Sequence, residues 1–144
     1  MRVAEGLIPT GAFVTSHRVR VGYVDTDRAQ VVHHGTYLRY LEAARVEYLR
    51  ERGVDYKRFE TDRMLALPVV EANVRYKLPA LFDDELEIKT WLAVANRAKA
   101  RFDSVILRGG ELLTLAEITL ACIRWPEGKI CSMPDYVIAL AKPA

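Results

Sequence analysis

The sequence predicts an α+β protein in which one long helix is set apart from a run of consecutive strands. Three observations carry this. Apolar residues between Thr36 and Arg52 recur with a helical period. After Val69 the apolar residues alternate with a period of two. Gly109-Gly110, set between two apolar runs, signals a hairpin, so the strands around it pair antiparallel.

Residues 1–15 read as a loose N-terminal leader with turn points at Gly6 and Pro9-Thr10-Gly11, and residues 16–144 as a single domain. His17 to Asp25 alternates, with Val19, Val21 and Tyr23 on one face and Arg18 and Arg20 on the other, which predicts a strand. From Thr36 to Arg52 the stripe is Tyr37, Tyr40, Leu41, Ala44 and Tyr48, and Gly53 is a stop signal. That helix is about 25 Å long. Arg45 breaks the stripe, and a charge there needs a partner, for which Glu42 three residues earlier is the candidate.

Val54 to Asp62 reads as a short helix or an irregular loop. Strands follow at Val69–Tyr76, Leu86–Val94, Lys99–Leu107 and Leu112–Trp125, with turns at Pro79, Asp83-Asp84 and Pro126-Glu127-Gly128. In the first of these, Val70, Ala72, Val74 and Tyr76 share a face. A short strand at Ile130 and a helix opened by Pro134 complete the chain. A largely apolar helix needs cover, which hairpin-linked strands in a curved sheet supply.

The 144 residues are 51% hydrophobic, enough for one domain with a real core. A net charge of +2 and no long basic block argue against nucleic-acid binding. No stretch is long and apolar enough to span a bilayer, and the N-terminus has no signal-peptide pattern, so we expect a cytoplasmic protein without membrane insertion. Cys122 and Cys131 are the only cysteines and are expected to be free thiols in a reducing compartment.

Chemistry concentrates in YVDTDRAQVVHHGTY, residues 23–37. Asp25, Thr26 and Asp27 fit a helix-start cluster, because such side chains bond free N–H groups. They equally fit a carboxylate held beside a helix N-terminus, as general base or as nucleophile on a carbonyl carbon. The unpaired N–H groups of the first helical turn provide an oxyanion site there. His33-His34 with the aspartates forms no convincing metal set, since His17 is the only other histidine; no metal is expected. A structural hydrogen bond suits His33 better than catalysis does.

This segment resembles the hotdog-fold acyl-CoA thioesterases of the 4-hydroxybenzoyl-CoA thioesterase-like group, which includes the Tol–Pal-associated enzymes. The matching residues are Tyr23, Asp25-Thr26-Asp27, Val31-Val32, His33, His34 and Tyr37, followed by YLRYLEAARVEYLRERG at 37–53. Weaker matches extend the resemblance from His17 to Ile138. It implies a curved antiparallel sheet wrapped around one central helix. It implies Asp27 as the catalytic carboxylate, attacking the thioester or activating water. Tyr23 and His34 would hold carboxylate and water, and the His34 N–H would polarise the thioester oxygen. Asp25 would support the turn. The family has glycines where this chain has Ala29 and Gln30, and an aromatic where it has His33, which bears on the acyl pocket. The family's site lies between subunits, which implies a homodimer or homotetramer.

The implied substrate is an acyl-CoA, short-chain or aromatic, with coenzyme A as part of the substrate and no separate cofactor. Arg97, Lys99 and Arg101 alternate, so within one strand they share a face fit for the nucleotide phosphates, or for a guarded edge. Arg75 and Lys77 form a second pair, and Tyr37, Tyr40 and Phe82 are candidates to line an aryl group, the tyrosines of the helical stripe equally suiting core. Two alternatives stay open. One is a hotdog dehydratase acting on a 3-hydroxyacyl thioester through Asp27 and His34. The other is a non-catalytic acyl-CoA-binding or scaffold protein.

Overall fold

The computed structural model describes residues 6–141. Residues 1–5 of the expected leader lie outside that range.

The long stripe forms helix α1 at Thr36–Glu51. The strands are β1 (Thr15–Arg20), β2 (Leu65–Ala66), β3 (Val69–Tyr76), β4 (Glu85–Ala95), β5 (Ala100–Arg108), β6 (Glu111–Leu120), β7 (Cys122–Arg124) and β8 (Lys129–Cys131). Short helices α2 (Tyr56–Asp62) and α3 (Asp135–Ile138) complete the order. Asp55 caps α2 by accepting the Arg58 N–H, and Pro134 stands at the start of α3.

The main sheet is antiparallel in the order β1-β4-β5-β6-β3, and β2-β7-β8 form a smaller one. At the β5–β6 hairpin Gly109 and Gly110 have φ of 55° and 84°, a left-handed pair that favours glycine. The inner face of the sheet holds α1. Tyr37, Tyr40, Leu41, Ala44 and Tyr48 are buried against Leu86, Ile88, Phe102, Ile106 and Ile118, and Tyr48 meets Phe102 edge-on at 5.3 Å. Each large apolar side chain buried here contributes roughly 1.5–3 kcal/mol.

Several expectations need correction. The first strand ends at Arg20, and Tyr23–Asp25 form a 3-10 turn, so Tyr23 does not share the face of Val19. The stretch 112–125 is two strands. Pro68 lacks an N–H, the ladder breaks there, Ala121 donates its N–H to the Pro68 carbonyl at 3.1 Å, and β7 passes to the small sheet. The described part of the leader is packed: Ile8, Ala12 and Val14 cover Trp91 on the outer face of the sheet, and Phe13 meets Tyr48 at 5.6 Å. Arg45 is buried, 8% exposed, and forms no ion pair among the described residues. Burial lowers its pKa, opposed by the attraction of Glu42.

The two edges of the sheet differ. On β1, Arg18 and Arg20 pair with Glu85 on β4. Strand β3 exposes Val69, Val70 and Tyr76, because only Val74 reaches the core beneath it.

Candidate active site

Between Arg20 and Thr36 the chain folds back on itself. The Val32 N–H donates to the Ala80 carbonyl at 2.9 Å and the His33 N–H to the Asp25 carbonyl at 2.9 Å. Isolated bridges join Thr26 to Val32 and Val31 to Leu81. At the tip, the Gln30 N–H closes a turn onto the Asp27 carbonyl at 2.9 Å. Gln30 has φ of 66°, so the left-handed backbone natural to glycine is kept without one.

Asp25 ties this loop to the helix. It is 7% exposed. Its carboxylate accepts the Gly22 N–H at 3.0 Å and the Tyr40 hydroxyl at 2.8 Å, and pairs with Arg39. Burial pushes this carboxyl up, but the bonds from Gly22, Tyr40 and Arg39 outweigh it and hold the group below the usual carboxylate range.

Asp27 is exposed. One carboxylate oxygen accepts the Ala29 N–H at 2.8 Å, which fixes the side chain in an Asx turn. The same residue lines a cavity of about 320 Å³ together with His34, Tyr37, Tyr76, Lys77 and Leu78. Tyr37 serves both the core and the cavity; it is buried, and its hydroxyl accepts the Ala80 N–H at 3.2 Å. Tyr76 meets Tyr37 edge-on at 5.0 Å and donates its hydroxyl to the His34 carbonyl at 2.9 Å.

Helix α1 opens on the same cavity. Gly35 is its N-cap residue, and the His33 ring accepts the Gly35 N–H at 3.1 Å, the structural role expected of His33. The His34 ring stacks on that of His33 at 4.3 Å. Among the described residues the His34 N–H donates to no protein acceptor, so it is available to an oxyanion. Asp27, with its exposed carboxylate, and His34, with its unbonded amide, therefore line one cavity.

The remaining candidates lie elsewhere. Tyr23 is 78% exposed, rests edge-on against Phe82 at 5.6 Å, and does not line the cavity. Arg97, Lys99 and Arg101 form no stripe. Arg97 and Lys99 sit in the exposed turn between β4 and β5, and only Arg101 is in a strand. The Arg101 guanidinium is held by Asp103 at 2.8 Å and 3.0 Å. Along the eleven residues of β4 that turn lies roughly 33 Å from the Asp27 end. The sequence reading missed the Tyr76 hydroxyl, whose partner is 42 residues away with no local signal. Lys77, read as half of a weaker basic pair, lies in the cavity wall. No group of three or more His, Cys, Asp or Glu able to hold a metal occurs among the described residues.

The profile of the thioesterase-like superfamily matches residues 20–140. The chain is 32% identical over 124 residues to the acyl-CoA thioesterase YbgC of Haemophilus influenzae, covering 86% of this chain and 91% of that one. It is 33% identical over 122 residues to the acyl-CoA thioester hydrolase YbgC of Escherichia coli, covering 84% and 90%. The crystal structure of the DHNA-CoA thioesterase from Staphylococcus aureus superposes with a TM-score of 0.80 at 28% identity, covering 83% of this chain and 80% of that one. The sheet wrapped around a helix is the hotdog fold these proteins share.

Proposed function

The chain belongs to the thioesterase-like superfamily, and from that premise we propose that it hydrolyses a short-chain or aromatic acyl-CoA. The products are the free acid and CoA. The single observation that carries this reading is that Asp27 and His34, whose N–H is unbonded among the described residues, line one cavity. The relatives' names add the substrate class, acyl-CoA.

Asp27 acts as general base, drawing a proton from water as it attacks the thioester carbon, or adds to that carbon itself. In either route the carbonyl oxygen gains negative charge beside the His34 N–H and the first turn of α1. Collapse expels the CoA thiolate, which takes up a proton; in the second route water then hydrolyses the mixed anhydride left on Asp27 and releases the acid. The Tyr76 hydroxyl donates to the His34 carbonyl and so anchors the His34 backbone at the cavity wall. No metal or organic cofactor enters this scheme. A cytoplasmic location belongs to the same reading and fits two free thiols.

A homodimer built on β3 completes the site. The strand exposes Val69, Val70 and Tyr76 along an edge unpaired among the described residues, the kind of edge that pairs with another copy. Antiparallel pairing of two β3 strands sets the Val69 end of one against the Tyr76 end of the other. Val69, Leu120 and Ala100 are register partners across the sheet, so the turn with Arg97 and Lys99 travels with the Val69 end. These cations then approach the second copy's Asp27 cavity, where a CoA phosphate needs them. Lys77 is the cation supplied from the same subunit.

Thiol release from short, long and aromatic acyl-CoAs, measured with wild type and Asp27→Asn, tests the reaction. Release that collapses in Asp27→Asn supports it. Conversion of a hydroxyacyl or enoyl thioester without thiol release would replace it with the dehydratase, and CoA binding without turnover with the scaffold reading. For the dimer, Val70→Lys is expected to yield monomers in sedimentation; an unchanged oligomer would exclude the β3 edge.

A further inference from the structure

Strands β7 and β8 form a hairpin whose register sets Cys122 directly opposite Cys131. Their sulfur atoms lie 3.4 Å apart, and both are free thiols. Cys122 is 1% exposed and belongs to the core, while Cys131 is half-buried and reachable from solvent. Opposed residues of an antiparallel pair have Cα atoms about 4.5–5.5 Å apart, inside the range of about 4.4–6.8 Å that a disulfide spans. The bond therefore needs side-chain rotation and no shift of the strands. Neither cysteine lines the Asp27 cavity.

We infer that Cys122 and Cys131 form a thiol–disulfide exchange site that reacts with low-molecular-weight disulfides. The Cys131 thiolate attacks one sulfur of a disulfide RSSR. The S–S bond breaks, one RS⁻ leaves and takes up a proton, and Cys131 carries a mixed disulfide. Cys122 then releases its proton and attacks Cys131 Sγ, expelling the second RS⁻, which is protonated in turn. The protein dithiol loses two electrons and two protons, and RSSR becomes two RSH. The order of attack follows from position, since RSSR reaches Cys131 and not the buried Cys122. Burial, together with the contact to Cys131, pushes the Cys122 thiol up to about 12, so it does not open the exchange; its later attack relies on the 3.4 Å approach to Cys131.

The bridge would fasten β8, which among the described residues pairs with β7 alone, covalently to a core residue. Two such thiols in a reducing compartment describe a transient couple and not a permanent structural bond.

The test is a titration of the full-length protein in oxidised and reduced glutathione, followed by intact mass measurement and thiol counting. Wild type is expected to become lighter by two hydrogen atoms, to lose both thiols together, and to regain them with dithiothreitol. Cys131→Ser, at the solvent-reachable position, is expected to keep its remaining thiol. Cys122→Ala is expected to stop at a single glutathione adduct. A wild type that holds one stable adduct, links between molecules, or keeps both thiols in excess oxidised glutathione would overturn the proposal. Hydrolysis plays no part in this readout, so failure here leaves the thioesterase reading intact.

Discussion

Asp25 and Asp27 are the same residue type with only Thr26 between them, and the fold sends them to opposite environments. Asp25 faces the helix and accepts from Gly22, Tyr40 and Arg39. Asp27 faces the cavity with a single backbone donor on one oxygen. A carboxylate with both oxygens engaged is a fastener; one with a free oxygen beside open space is open to chemistry. Each role follows from the surroundings, and no feature of aspartate itself distinguishes them.

The sharpest way to break this contrast is to neutralise each in turn. Asp27→Asn is expected to lower kcat by roughly 10²–10⁴-fold with the thermal midpoint close to wild type. A marked loss of stability would make Asp27 a second fastener. Asp25→Ala strands the buried Tyr40 hydroxyl and is expected to cost about 2–3 kcal/mol in denaturant unfolding. The pH dependence carries a sign. The folded-state pKa of Asp25 is depressed, so its contribution is complete above the usual carboxylate range and is lost as pH falls through the folded value. The stability gap between wild type and Asp25→Asn should therefore shrink on acidification; a gap that stays constant would show that the charge is not what matters. The smallest effect is expected from Tyr76→Phe, which removes only the bond to the His34 carbonyl. About 1 kcal/mol, or a fivefold fall in kcat/KM, is expected with little change in stability.

Periodicity made the architecture legible. Helix α1, the Gly109-Gly110 hairpin and the Pro134 helix start follow from local chemistry, and each stands where its residues put it. The Asp-Thr-Asp loop was legible as a site through family resemblance, and Asp27, His34 and Tyr37 do share a cavity. Arg97 and Lys99 misled because alternation continues through a turn as easily as through a strand. The overlooked signal was Asn96, whose side-chain oxygen accepts the N–H groups of Ala98 and Lys99 at 2.9 Å and 3.0 Å and so makes the bend. The exit of β7 from the main sheet depends on Pro68, more than fifty residues upstream of Cys122, which no window on residues 112–125 contains.

The sheet order β1-β4-β5-β6-β3 also has a consequence in time. Strands β4, β5 and β6 are neighbours in sequence and close through short turns, so they form quickly. Strand β1 must find β4 across about half of the chain, with Thr15 meeting Thr90, and loop-closure entropy delays such a meeting. The Asp27 loop is clamped by Ala80 and Leu81, just ahead of β4. On the ribosome, β1, that loop and the tyrosine-lined α1 emerge before any partner strand exists to cover them. The half of the chain that is made first must wait longest for its place.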